Sequence, residues 1–424
     1  MNPIEGNGHA YSVAEEVARR SYGKLVAFLA ARTRDVAAAE DALSEAFAAA
    51  LADWPFNGCP ANPEAWLLTV ARRKAIDTHR AQRLEIPAAD LFPGDPSLAE
   101  ALAAGPGSGP HAIPEIPDHR LALMFVCAHP AIEPAIRAPL ILQSVLALDA
   151  ARIASAFLTS PAAMGKRLVR AKEKIRQSAI PFGIPGHNQL PARLDAILDA
   201  IYAAFTEGWP DPDGADALRR DLIAESLFLA RLIHQLLPNE PEATGLLALM
   251  LYAESRRSAR RSPGGEYTPL AQQNPELWDA QQITEAEALL RQASALNRIG
   301  RYQLEAALQS AHINRRITGQ DNWTQVVQLY DALLGLTHSP VVAINRAIAI
   351  AQTESPATAL ESLDHMKDDP RLAQYQPWWA ARADLLARTG DHAHARHAYE
   401  IAIGLEPDPA VRRFLQQRQS ALSP

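Results

Sequence analysis

Residues 151–177 constrain the fold most, because apolar residues recur there at helical spacing beside a row of positive charges. Ser160 suits the cap of a helix, and Pro161 suits its first position. The apolar residues that follow are four, three and four positions apart: Met164, Leu168, Ala171 and Ile175. This spacing places them on one helical face. Together with the short apolar segment before Ser160, it predicts a helix-turn-helix.

The second helix of this motif is strongly cationic. Between Met164 and Arg176 there are six basic residues and one acidic residue, Glu173. Such a helix suits the major groove of DNA, where lysine and arginine side chains neutralise phosphates. The alternative is that the basic row is only the solvated face of a helix in a bundle. The sequence leaves both interpretations open.

Composition favours an all-α fold. Alanine is abundant and aromatic residues make up only 6% of the chain, which favours helix bundles over β-sandwiches and barrels. Apolar residues make up 48% and charged residues 21%, so the chain can bury several cores and is not disordered as a whole. We therefore expect an all-α protein with several helical parts.

The net charge of −7 is distributed unevenly. Residues 1–186 carry equal numbers of basic and acidic residues, so the whole excess of negative charge falls on residues 187–424. The two cysteines, Cys59 and Cys127, are too few for a disulfide scaffold or a four-cysteine zinc site. No apolar run is long enough to span a membrane, and the N-terminus lacks a signal-peptide core. We expect a cytoplasmic protein with no membrane segment, no metal and no cofactor.

Proline and glycine divide the chain into four parts. Residues 11–83 form a first helical block, and residues 118–180 form a second block that contains the predicted helix-turn-helix. Residues 84–117 between them are a linker, because the run Gly-Pro-Gly-Ser-Gly-Pro and further prolines cannot hold a regular element. Residues 187–424 form a long C-terminal helical region.

The first block contains an acidic helix. Its large apolar residues share one helical face: Val36, Leu43, Phe47, Leu51 and Trp54. Acidic residues lie between them, and no basic residue occurs after Arg34 until Arg72. The helix is predicted to end at Trp54, because Pro55 follows and Asn57-Gly58 signals a turn. The acidic face is either simply solvated or binds a protein with a basic surface.

A basic helix follows in the same block. Asn62 suits its cap and Pro63 its first position, and the helix is predicted to run through Trp66 towards Arg83. Its basic residues lie beside a polar loop at residues 56–62, which suits single-stranded DNA. The alternative is a charged helix exterior with Trp66 in the core.

The C-terminal region contains helical hairpins. Residues 379–407 have small and aromatic residues near the positions of a tetratricopeptide repeat: Trp379, Ala383, Leu386, Gly390, Ala395, Tyr399, Ala402 and Pro407. A weaker copy lies upstream: Ala343, Ala347, Ile350, Ala359, Leu363 and Met366. Small residues let paired helices approach closely, so neighbouring hairpins share a core. We expect a TPR-like helical-hairpin domain over residues 187–424.

In this order, the acidic helix, basic helix, linker and helix-turn-helix resemble an extracytoplasmic-function (ECF) sigma factor of the bacterial sigma-70 family. Residues 35–47 are similar to the region 2 helix that docks on RNA polymerase, and residues 62–77 to the promoter-melting segment. Residues 153–175 resemble region 4. Further segments resemble the subgroup with a long TPR-like C-terminal extension: residues 117–130, 167–172, 300–304 and 339–347.

The resemblance implies three groups of binding residues. The group that holds core polymerase is Asp41, Glu45 and Phe47. The group that contacts or opens the −10 element is Asn62, Trp66, Arg72, Arg73, Lys74 and Arg80. The group that meets the −35 element is Arg152, Ser160, Ala163, Lys166, Arg167 and Arg170.

The function implied is that of an alternative sigma factor, which binds core RNA polymerase and directs transcription initiation at particular promoters. A regulatory protein is a candidate partner of the C-terminal domain. The resemblance implies no catalytic residue in this chain, since the polymerase makes the RNA. One alternative is a helix-turn-helix regulator with a TPR-like sensor domain, independent of sigma activity. The other is an enzyme with its active site in the C-terminal region, which no motif supports.

Overall fold

A computed structural model describes residues 3–81, 118–157, 159–178, 180–186, 189–208 and 217–422. In these ranges the regular structure is α-helical, apart from three short 3-10 turns and one isolated bridge between Arg261 and Tyr267. The all-α prediction is therefore confirmed. The linker predicted over residues 84–117 lies outside the described residues.

The chain forms two compact units. The first contains residues 1–209 and 217–229, and the second contains residues 210–216 and 230–424. Each unit is described separately below.

The first unit begins with three helices: α1 Pro3–Thr33, α2 Val36–Asn57 and α3 Pro63–Ala81. The turn between α1 and α2 uses a left-handed conformation at Arg34, with φ of 54°. Asp35 then caps α2, because its carboxylate accepts the backbone N–H of Ala38 at 3.0 Å. Leu25 and Leu29 on α1, Leu43 on α2 and Leu67 on α3 are fully buried in the core.

The predicted end of α2 at Trp54 is wrong, because the helix continues through Pro55 to Asn57. Proline at this position removes one backbone donor. The turn around it is nevertheless fixed by Trp54, whose buried ring packs edge-to-face on Trp66 of α3 at 5.4 Å between centroids. The helix stops at Gly58, which has φ of 85° and donates its N–H to the carbonyl of Trp54 at 2.9 Å.

The rest of the first unit contains α4 Arg120–Cys127, α5 Pro134–Ser144, α6 Ala150–Ala156, α7 Pro161–Gln177, α8 Pro191–Glu207 and the first part of α9 Ala217–Leu236. Helix α7 begins as predicted, since the Ser160 hydroxyl accepts the N–H of Ala163 at 3.3 Å. Its predicted apolar face is also confirmed, because Met164, Leu168, Ala171 and Ile175 are all buried.

Helix α1 packs directly against the backbone that follows α5. A Cβ atom added at Gly23 would lie 1.8 Å from the carbonyl oxygen of Val145, so only glycine fits there. The first three helices and the later helices of this unit therefore share a tight backbone contact.

The second unit continues from α9 with α10 Pro241–Glu254, α11 Ala280–Ala295, α12 Arg301–Thr318, α13 Trp323–Thr337, α14 Pro340–Thr353, α15 Pro356–Asp364, α16 Gln376–Arg388, α17 His392–Leu405 and α18 Pro409–Ser420. Buried apolar clusters join successive helices of this series. In the α16–α17 hairpin, Ala383, Ala395 and Ala402 are fully buried. Gly390 forms the turn between these helices with φ of 86°.

Across the described ranges, each helix is too short or too polar to cross a membrane. The same residues contain no group of three or more His, Cys, Asp or Glu side chains arranged to hold a metal ion.

Candidate protein and nucleic-acid interface

The acidic face of α2 is open to solvent. Asp41 and Glu45 are exposed and lie one helical turn apart, and Phe47, two positions after Glu45, is half-buried. Glu45 forms an ion pair of 3.1 Å with Lys74 of α3. Because both side chains are about half exposed, this pair contributes little to stability and can be exchanged for a partner at small cost.

The residues predicted to act at the −10 element lie at the start of α3 and along this helix. Asn62 caps this helix, since its Oδ1 accepts the N–H of Ala65 at 3.0 Å. Trp66 is half-buried against Trp54. The basic residues that follow are partly or fully exposed: Arg72, Arg73 and Lys74. The side chain of Arg80 lies outside the described residues.

Phe56 is a candidate binding residue that the sequence reading overlooked. Its side chain is 87% exposed in the last turn of α2, immediately before the turn at Asn57-Gly58 that leads to Asn62. An exposed aromatic ring beside a polar loop can stack on an unpaired base. The sequence signal was an aromatic residue placed between Pro55 and the turn at Asn57-Gly58.

Helix α7 presents a basic surface. Lys166, Arg170 and Lys174 are exposed on it at intervals of one turn, and Ala163 is exposed near its start. Arg167 is half-buried and pairs with Glu133 at 3.4 Å. Helix α7 therefore presents a row of exposed positive charges that can contact an extended anion.

Besides Arg167, two more of the residues predicted to act at the −35 element have structural partners. Ser160 uses its hydroxyl to cap α7. Arg152, in α6, forms an ion pair of 3.2 Å with Glu207 of α8. Arg152 reaches another ligand only if this partly exposed pair opens, whereas Lys166 and Arg170 are exposed already.

A polar contact that the sequence did not predict connects α2 to α7. The ammonium group of Lys172 pairs with the carboxylate of Glu40, and the hydroxyl of Ser144 donates to Glu40 Oε1 at 2.9 Å. Only 10% of the Lys172 side chain and 15% of the Glu40 side chain are exposed. This contact thereby holds α2 against α7 within the first unit.

Negative charge on α2 also affects two buried groups nearby. Burial raises the pKa of the Tyr22 hydroxyl, and the carboxylates of Glu40 and Asp41 raise it further. Burial, again aided by Glu40, raises the pKa of the Cys127 thiol. Both groups therefore stay protonated, and Cys127 is an unreactive core thiol.

Comparisons with known proteins identify a known domain in the first part of the chain. Sigma-70 region 2 matches residues 17–85, which include α2 and α3, and a family of unknown function, DUF6596, matches residues 193–294. The uncharacterized protein R00370 of Rhizobium meliloti (strain 1021) is 36% identical over 392 residues, which cover 92% of this chain and 91% of that protein. No solved structure matches the chain. The chain belongs to the same family as this Rhizobium protein, and its residues 17–85 match a sigma-70 region 2 domain.

Proposed function

We propose that this protein is an alternative sigma factor of the ECF subgroup with a TPR-like C-terminal extension. It binds core RNA polymerase and selects promoters through two DNA-binding surfaces. The observation that carries the proposal is the sigma-70 region 2 match, because it covers the acidic helix α2 and the basic helix α3 together.

The proposed polymerase contact is the exposed face of α2. Asp41 and Glu45 offer two exposed carboxylates and Phe47 offers a half-buried ring, which suits a basic and partly apolar protein surface. The ion pair from Glu45 to Lys74 is solvent-exposed and is easily given up to a new partner.

The proposed −10 contact is formed by the end of α2 and the exposed side of α3. Phe56 projects into solvent, where an unstacked base can pack on its ring. Arg73 and Lys74 supply positive charge for the DNA backbone. Asn62 and Trp66 support this site by fixing the start of α3 and its packing on α2.

The proposed −35 contact is the basic surface of α7, preceded by α6 across a short turn. Lys166 and Arg170 lie where they can neutralise phosphates as α7 enters the major groove. Ala163 and Gly165 offer no hydrogen-bonding side chain near the start of α7. We therefore expect phosphate contacts and DNA shape to contribute more than direct readout of bases.

The proposed domains are sigma region 2 at residues 11–83, a linker at 84–117, region 4 at 118–180 and a TPR-like domain at 187–424. The hairpin of α16 and α17 supports the last assignment, because alanines are buried between its helices around the turn at Gly390. Such hairpins present helix faces suited to binding a protein. A regulatory protein is therefore the proposed partner of this domain.

The contact between α2 and α7 fits a sigma factor that is not on its promoter. The proposed −10 and −35 contacts lie mainly on α3 and α7, and α2, which carries Glu40, packs against α3. The pairing of Glu40 with Lys172 of α7 therefore holds the two proposed DNA contacts together. We expect promoter binding to open this pair.

Run-off transcription with purified core polymerase on a promoter library tests the proposal. The full chain is expected to direct transcripts from a specific set of promoters, and charge reversal of Asp41 and Glu45 is expected to abolish them. A helix-turn-helix regulator independent of polymerase would instead bind duplex DNA alone and would tolerate the reversal.

A further inference from the structure

A cluster of arginines in the second unit is unexplained by the proposed promoter contacts. Four arginines occur in six residues directly after α10: Arg256, Arg257, Arg260 and Arg261. They stand out because the C-terminal half is otherwise acidic. Arg257 pairs with Glu254 at 2.9 Å, and Arg261 pairs with Asp408. Carboxylates thus balance these two of the four charges.

Among the residues that the structure describes, the hydrogen-bond partners of Arg256 are neutral. Its Nε donates to the carbonyl of Tyr252 at 3.2 Å, and its Nη2 donates to Gln309 Oε1 of α12 at 2.5 Å. Burial, together with the charge of Arg260, lowers the pKa of Arg256 to about 10. Burial likewise lowers the pKa of Arg260 to about 10. Two neighbouring guanidinium groups are therefore held in a poorly solvated place where positive charge is disfavoured.

Helix α12 adds the guanidinium group of Arg315 to this cluster. Gln309, His312 and Arg315 follow each other at intervals of three residues, which places them on one ridge of the helix. Arg315 donates to His312 Nδ1 at 2.9 Å and to Asn322 Oδ1 at 3.0 Å. Its guanidinium also lies over the ring of Trp323, 3.7 Å from the centroid.

His312 adds no charge that could balance the arginines. Burial and the charges of Arg315 and Arg256 lower its pKa to about 4, so the ring is neutral. Because arginine can only donate, Nδ1 of this ring accepts and Nε2 carries the proton. The arginines and the Nε2–H group of His312 therefore offer N–H donors that have little negative charge beside them. The charge of Asp321 attracts that of Arg315, but no hydrogen bond joins the two side chains. The carboxylate of Asp408 is already paired with Arg261.

We propose that Arg256, Arg315 and His312 form a binding site for the oxyanion group of a small ligand, either a phosphate or a carboxylate. The planar forks of arginine match both groups, and a bound oxyanion would offset the repulsion between half-buried guanidinium groups. The site would let a small anionic molecule act on the C-terminal unit. This inference does not depend on sigma activity.

Isothermal titration calorimetry of the full chain tests the proposal, with sodium phosphate and sodium acetate as two separate titrants and sodium chloride at equal ionic strength as the reference. We expect saturable binding of at least one of the two oxyanions. Binding of phosphate alone identifies a phosphate ligand, and binding of acetate identifies a carboxylate ligand. No saturable heat with either titrant would overturn the proposal.

The Arg256→Gln variant is expected to raise the dissociation constant at least tenfold. Arg315→Gln serves as a second variant, in case the first does not fold as judged by its circular dichroism. Arg371→Gln is the matched control, because Arg371 lies on the surface and pairs with Asp369 at 2.6 Å. Equal affinity in all variants would show that the cluster does not bind the anion.

Discussion

The ammonium group of Lys172 on α7 is paired with the carboxylate of Glu40 on α2, where both side chains are almost fully shielded from water. Ser144 donates a further hydrogen bond to the same carboxylate at 2.9 Å. The pair joins the helix proposed to bind polymerase to the helix proposed to bind the −35 element. Whether this ion pair is formed or open therefore indicates whether α2 and α7 are held together.

Replacing Lys172 by methionine is expected to destabilise the first unit by about 3 kcal/mol, because Glu40 then remains buried without a counter-charge. Urea unfolding followed by circular dichroism measures this change. The double variant Glu40→Gln with Lys172→Met is expected to recover most of the loss, since neither charge remains. If the single variant is as stable as the unmodified chain, the pair is not buried as described.

Replacing Lys166 and Arg170 by alanine is expected to weaken DNA binding across sequences. Each lost phosphate contact reduces the salt dependence, so the slope of log affinity against log salt should fall by about 2. Fluorescence anisotropy with duplex DNA at several salt concentrations measures the slope. Arg176→Ala is the control on the same helix, because Glu173 already pairs with Arg176 at 2.7 Å. An unchanged slope in the double variant would argue against phosphate contacts by α7.

Replacing Phe56 by alanine is expected to reduce promoter opening about tenfold, which corresponds to the loss of one base–aromatic stack. The exposed ring makes no large contribution to the core, so stability and polymerase binding should not change. A fluorescent base analogue in the −10 element reports opening. Tyr11→Ala, at another exposed aromatic residue, is the control. Equal opening with Phe56 and with alanine would remove this residue from the site.

The second unit is expected to lose stability as the pH falls from 7 to 5. Burial and the charges of Arg315 and Arg256 lower the pKa of His312 to about 4, below its usual 6.5. The unfolded chain therefore binds more protons in this window, and the contribution of His312 falls by about 2 kcal/mol. Urea unfolding at both pH values, compared between the unmodified chain and His312→Gln, isolates this contribution. If the free energy of unfolding changes equally with pH in both chains, His312 does not make this contribution.

The start of each helix proposed to bind DNA could be predicted because local residues determine it. Asn62 before Pro63 and Ser160 before Pro161 are strong caps, and both side chains accept the expected backbone N–H. The apolar face of α7 was equally clear, since large residues mark it. These features depend on a few adjacent residues and on helical spacing.

The buried face of α2 was harder to predict. Large residues suggested that Leu51 belongs to the core, but its side chain is 39% exposed. Alanines instead form much of the contact with the neighbouring helices, since Ala39, Ala46 and Ala50 are fully buried. In an alanine-rich chain, close helix packing depends on the small residues, which carry little hydrophobic signal.

The contact between α2 and α7 could not be predicted from the sequence. Glu40 and Lys172 are 132 residues apart, and each looks like an ordinary charged residue on an amphipathic helix. Only the packing of the whole unit removes both from water. The arginine cluster of the second unit is similar, because Gln309 and Arg256 are brought together across 53 residues.

The binding of the full chain to purified core RNA polymerase tests the sigma-factor proposal most directly. Gel filtration and a titration at low salt are expected to show a stable complex, whose dissociation constant rises at least tenfold when Asp41 and Glu45 are both replaced by lysine. The control is Glu16→Lys, at an exposed acidic residue on α1. A chain that does not bind core polymerase, or a double variant that binds as tightly as the unmodified chain, would contradict the account.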